Sequence, residues 1–144
     1  MAPARNTESF PPSCSDTNMH RLFTAAVVLG ALANLGFAVY ALILPASAAE
    51  LSELDLTPAA ARAEYRAVFG GLVGALGLGM LWVVARGEGA GARLLALLFG
   101  GLVFGRGADL LLGSFEPLQL GLMALEAGMA VALWLWARGA DPRA

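Results

Sequence analysis

A chain of 144 residues that is 58% hydrophobic and only 14% charged cannot wrap a soluble core in a polar shell, because an ordinary soluble domain carries about 25% charged residues. Its mean hydropathy of +0.70 calls for an apolar solvent, the interior of a lipid bilayer. A formal net charge of −2 excludes the electrostatic footprint of a nucleic-acid binder, and Cys14 as the single cysteine excludes an internal disulfide and a cysteine-based metal site.

The length suits one domain. Residues 1–19 read as a disordered tail, with Pro3, Pro11, Pro12, Ser13 and Ser15 and no apolar periodicity. His20, the only histidine, stands beside Arg21 where the first apolar run begins, so it reads as an interfacial residue; as a haem or metal ligand it would lack a second histidine. The run from Leu22 to Leu44, stopped by Pro45, exceeds the roughly 20 apolar residues that a spanning helix needs. Ala46-Ser47-Ala48 resembles a signal-peptidase site, but the run is longer than the ~7–15 residues of a signal-peptide core, and a retained helix is expected.

A short loop follows over 46–57, carrying Glu50, Glu53 and Asp55. Thr57-Pro58 predicts a helix start, with a hydroxyl N-cap and proline at the first helical position. The second helix runs over about 58–85 and ends in the Arg86-Gly87-Glu88-Gly89 turn. The third covers about 92–112 and is broken by Gly113-Ser114, and Pro117 opens the fourth, about 118–137. Trp134 and Trp136 fall where an interfacial aromatic belt would lie, and residues 140–144 form a tail. The expected fold is all-α, a four-helix transmembrane up-down bundle, because short connections make neighbouring helices antiparallel.

Arginine placement orients it. Arg5, Arg21, Arg86, Arg93, Arg138 and Arg143 flank one side and Arg62 and Arg66 the other, which predicts both termini in the cytoplasm. Gly70, Gly74 and Gly77 share a face of the second helix, and Gly101 and Gly105 pair similarly on the third; both read as surfaces for close helix packing. Phe69-Gly70-Gly71-Leu72-Val73 is echoed by Phe99-Gly100-Gly101-Leu102-Val103 at another depth, too short a match for a repeated transporter half.

The charges inside the apolar runs are the candidate site. Arg66 precedes Gly70 by four residues and is expected to share its inward face. Arg106 and Asp109 stand three apart on the third helix, and Gln119 and Glu126 seven apart on the fourth. Asn34 lies mid-way along the first helix, while Glu64 falls about 200° around from Arg66. The topology brings Arg66, Arg106, Asp109 and Glu126 into the same half of the membrane, Arg106 ~10 Å below Gly113 and Glu126 ~13 Å below Pro117. Each charge at such depth costs about 2.5–3.5 kcal/mol, so mutual neutralisation by bidentate arginine–carboxylate bonds is expected. The cluster is then either a brace that fixes helix register or a polar pocket for an anionic ligand or lipid headgroup.

Glu64-Tyr65-Arg66, Gly70-Gly71-Leu72, Gly74, Gly77 and Leu81-Trp82 resemble the second-helix pattern of a bacterial membrane family, domain of unknown function 4345. Gly100-Gly101-Leu102 with Arg106 resembles its third helix, Gly113 and Pro117 the turn that follows, and Glu126 the acidic residue of its last helix. Asp109 departs from the small or hydroxyl residue of that pattern. The resemblance covers about 22–138 and implies four membrane helices in a bacterial inner membrane, with no established activity.

The functional expectation is a non-enzymatic integral membrane protein that binds a small amphiphile or lipid headgroup, or acts as an accessory to a membrane-protein partner. The alternatives are a membrane enzyme using Glu126 or Asp109 as acid/base and an oligomeric proton-coupled transporter. No metal or cofactor is expected, and no nucleophile–base pair stands ready in the sequence.

Overall fold

A computed structural model describes residues 14–51, 54–113 and 117–140, excepting the side chains of residues 14–16, 109 and 112. These form five helices: α1 (Cys14–Ile43), α2 (Pro45–Glu50), α3 (Ala59–Arg86), α4 (Gly89–Leu112) and α5 (Pro117–Ala140). Helix α3 is continuous but contains a π-helical stretch, Arg66–Leu72, between α-helical Ala59–Tyr65 and Val73–Arg86. Four segments are long and apolar enough to cross a membrane: Thr17–Ile43, Ala59–Arg86, Gly89–Ala108 and Pro117–Ala140. The chain is a multi-pass, four-helix transmembrane bundle.

Local chemistry sets the breaks. Leu44 still donates to the Tyr40 carbonyl at 2.8 Å, but Pro45 has no N–H to continue the ladder and instead takes the first position of α2. Gly87, at φ 67°, adopts the left-handed conformation that ends α3, and its N–H returns to the Val84 carbonyl at 3.3 Å. Pro117 opens α5.

Helix α4 begins three residues before its expected start and α5 ends three after its expected stop, and three further boundaries differ from the sequence reading in a way that has a physical reason. Helix α1 begins at Cys14, inside the stretch assigned to the tail, because a helix that leaves the bilayer needs no apolar periodicity to continue into water. Part of the expected loop over 46–57 is α2, whose Ala48 and Ala49 bury against Ala41 and Tyr65. Thr57 is not a cap: α3 starts after Pro58 without a side-chain cap, and the Thr57 hydroxyl donates to Asp55 instead.

The core lies at the end of the bundle that holds the start of α1, the α3–α4 turn and the end of α5, called here the terminal end. Val27, Ala31, Met80, Val83, Ala92, Phe99, Leu133 and Trp136 meet there, so all four long helices contribute. At the opposite, loop end, Ala41, Ala48, Ala49 and Tyr65 form a smaller cluster between α1, α2 and α3. Helices α1 and α3 stay together along their whole length: Gly77 abuts Ala31, Gly74 abuts Ala38 and Gly70 abuts Leu42. Helices α4 and α5 pair most extensively of all. Contacts between these two hairpins cluster at the terminal end, as in Gly30 with Met129, Thr24 with Trp136 and Gly79 with Leu95. From Gly100 to Val131 no described residue is buried.

Gly101 and Gly105 are therefore not a packing face within the chain. A Cβ at either would meet nothing within 4 Å, because α4 turns its other side to α5. Outward apolar side chains such as Phe104, Leu111 and Leu125 are largely exposed and present the surface that a bilayer solvates.

Candidate functional site

The face of α4 that carries Ala92, Ala96 and Phe99 into the core continues along Val103 to Arg106, at steps of three and four residues. The matching face of α5 runs back from Leu133 through Met129 to Glu126 and Gln119. Arg106 and Glu126 thus stand on the core-facing stripes of their helices, at a level the core no longer reaches. Arg106 Nε donates to Glu126 Oε2 at 3.0 Å and to Oε1 at 3.1 Å. The arginine side chain is 30% exposed and the glutamate 13%. One nitrogen serves both oxygens, so the bond is not the two-pronged fork expected, and it leaves the Nη donors outside that contact.

The model of a family described as a domain of unknown function, DUF4345, matches residues 22–137. The chain belongs to the DUF4345 family. No curated protein and no solved structure matches it. The match encloses every residue of the candidate site in this DUF4345 chain.

Among the described side chains the expected charges do not gather in one cluster. No described charged residue is buried, and Arg66, expected beside Arg106, is exposed. Its Nε donates to the Leu42 carbonyl at 3.3 Å, one of the last carbonyls of α1. Pro45 breaks the ladder just beyond, and a cation there completes the helix end and suits its negative dipole. Arg66 does share the α1-facing side of α3 with Gly70, but it serves the end of α1 rather than the α4–α5 pair. Asp109 lies in α4, and its side chain falls outside the described residues. Asn34 does not join the charges; its amide donates at 2.9 Å to the carbonyl of Gly30, on its own helix. Gln119 is half-buried on the Glu126 stripe. Glu64 is exposed and lines an open cavity of about 230 Å³ at the loop end, with Asp55, Leu56, Tyr65 and Phe69.

Two polar features of this DUF4345 protein are visible only in three dimensions. Tyr65 is buried, its ring 4.5 Å from that of Phe69, and its hydroxyl has no hydrogen-bond partner among the described residues. At the terminal end Trp136 is buried rather than part of an aromatic belt. Its indole N–H donates to the Thr24 hydroxyl at 3.0 Å, which donates to the His20 carbonyl at 2.9 Å. The His20 ring stacks on Trp136 at 5.8 Å, and Gly139 leaves the ring its space. His20 is thus half-buried inside a helix junction. The spacing of Trp136 on the Leu133 and Ala137 face was the available signal.

Asp55, outside the spanning segments, accepts hydrogen bonds from the Thr57 hydroxyl and, at 2.8 Å, from the Thr57 N–H. These hold its carboxyl below the usual carboxylate range.

Proposed function

We propose that this DUF4345 protein is a non-enzymatic membrane protein that takes a small amphiphile between its hairpins at the level beyond the core, where the Arg106–Glu126 pair meets the polar end. The observation that carries this reading is the position of the pair: on core-facing stripes, yet at a level with no buried residue. An ion pair there offsets part of the ~2.5–3.5 kcal/mol per charge that the bilayer exacts. The Nη donors outside the Glu126 contact are the groups that would bind a phosphate, carboxylate or sulfate oxygen. A bacterial inner membrane is the proposed location, and arginine placement supports both termini in the cytoplasm; the pair would then lie in the outer half of the bilayer, and reporters fused at each terminus test that orientation.

Native mass spectrometry of the detergent-purified protein tests the binding. A discrete extra mass on the wild type, lost in Arg106→Leu, is the expected result. Should that variant fail to fold, Arg106→Leu with Glu126→Leu removes both charges together. The absence of any bound mass on the wild type would overturn the reading and direct attention to a membrane-protein partner.

A further inference from the structure

On the outer surface of the α4–α5 hairpin, near the terminal end, lies an open groove of about 340 Å³. Ala96 and Ala130 form its floor, Leu97, Val131, Trp134 and Leu135 its walls, and Arg138 stands at one end. Small floor residues between long walls make a trough, and all of the lining except Arg138 is apolar. Trp134 and Arg138 are four apart on α5, so the indole lies one helical turn inside the guanidinium. Ala130 lies eight positions from Arg138, or ~12 Å deeper along the helix, a distance that a substantial part of an acyl chain covers. Arg138 is exposed in the last turn of α5 and has no ion pair with a described residue.

The trough alone would say only that lipid touches it. Charge says which lipid. Among described side chains the terminal end carries Arg21, Arg86, Arg93 and Arg138 against Glu88, whereas the loop end carries Arg62 and Arg66 against Glu50, Asp55 and Glu64. An apolar trough that ends in a cation, at the positive end of the bundle, complements a molecule with a long apolar chain and an anionic head. We infer that this groove is a specific site for an anionic phospholipid, with one acyl chain along Ala96 and Ala130 and its phosphate on Arg138. Basic groups between transmembrane helices recognise anionic headgroups through the same charge pairing. The site is separate from the Arg106–Glu126 pair and independent of the function proposed for it.

The test titrates the full chain in detergent with phosphatidylglycerol and with phosphatidylcholine, read by native mass spectrometry. A lipid-facing arginine contributes about a fivefold preference for the anionic lipid. The wild type is expected to show that preference, Arg138→Gln to abolish it, and Val131→Trp, which fills the groove from an exposed position, to weaken both lipids. Arg106→Leu should leave the preference intact, which separates this site from the other. Equal uptake of the two lipids by the wild type, a preference that survives Arg138→Gln, or binding unaffected by Val131→Trp would each overturn the assignment.

Discussion

The carbonyl oxygen of Ala31 lies 2.9 Å from the point that a Cβ on Gly77 would occupy, and Leu35 Cγ lies equally near. Backbone cannot yield as a flexible side chain can, so glycine at 77 is what lets α1 and α3 touch. Gly77→Leu is expected to cost about 1–3 kcal/mol, the ordinary range for overpacking. Gly101→Ala, facing open space, should stay within about 0.5 kcal/mol of wild type. Thermal unfolding in detergent compares the two; equal losses would contradict the packing described.

The Arg106–Glu126 bond predicts a non-additive cycle. Arg106→Leu or Glu126→Leu alone strands a half-buried charge, at a cost of about 2 kcal/mol. The double variant strands neither and should be more stable than the sum of the singles implies. Unfolding in detergent of all four proteins measures the coupling, and strict additivity would deny it.

At the helix junction the two ends of one hydrogen bond are unequal. Trp136→Phe removes the donor and keeps most of the ring, so about 1 kcal/mol is expected. Thr24→Val leaves the indole N–H buried with no acceptor and should cost more, up to about 3 kcal/mol. The reverse order in melting temperatures would count against this geometry.

The Asp55–Thr57 turn responds to acid. Because the folded carboxyl titrates below its ordinary value of 3.8, the turn's contribution is complete above that value and is lost as pH falls through the lower folded one. The Thr57 amide resonance in a labelled sample should titrate with a midpoint below 3.8 in the wild type and lose that transition in Asp55→Asn. A midpoint at or above 3.8 would show the turn to be absent.

What the sequence made legible follows the physics of single helices. Long apolar runs and the punctuation at Pro45, Gly87 and Pro117 marked the spanning segments, because length and backbone chemistry are local properties. The Gly70, Gly74 and Gly77 face was equally legible, and α1 does pack on it. The same spacing at Gly101 and Gly105 misled, since a stripe of small residues does not say which neighbour comes near. Glu126 and Arg106 could be matched by depth along antiparallel helices. Arg66 could not be placed, because its partner is the Leu42 carbonyl, freed near a break in another helix. The π-helical stretch at Arg66–Leu72 and the one-and-a-half turns of α2 leave no periodic signature long enough to read.

The hairpins are fastened together near Met80 and Leu133, and beyond that fastening α4 and α5 carry no buried described residue from Gly100 to Val131. From Leu133 to Pro117 is ~24 Å of α5. A rotation of about 10° at the fastening would move the far tip by roughly 4 Å over such a lever. In mechanical terms the molecule has the layout of a pair of tongs: the hairpins meet in a packed core at one end, and the α4–α5 arm runs on beyond it. A guest lodged between the arms would therefore act on the longest lever the fold offers, at the end away from the core.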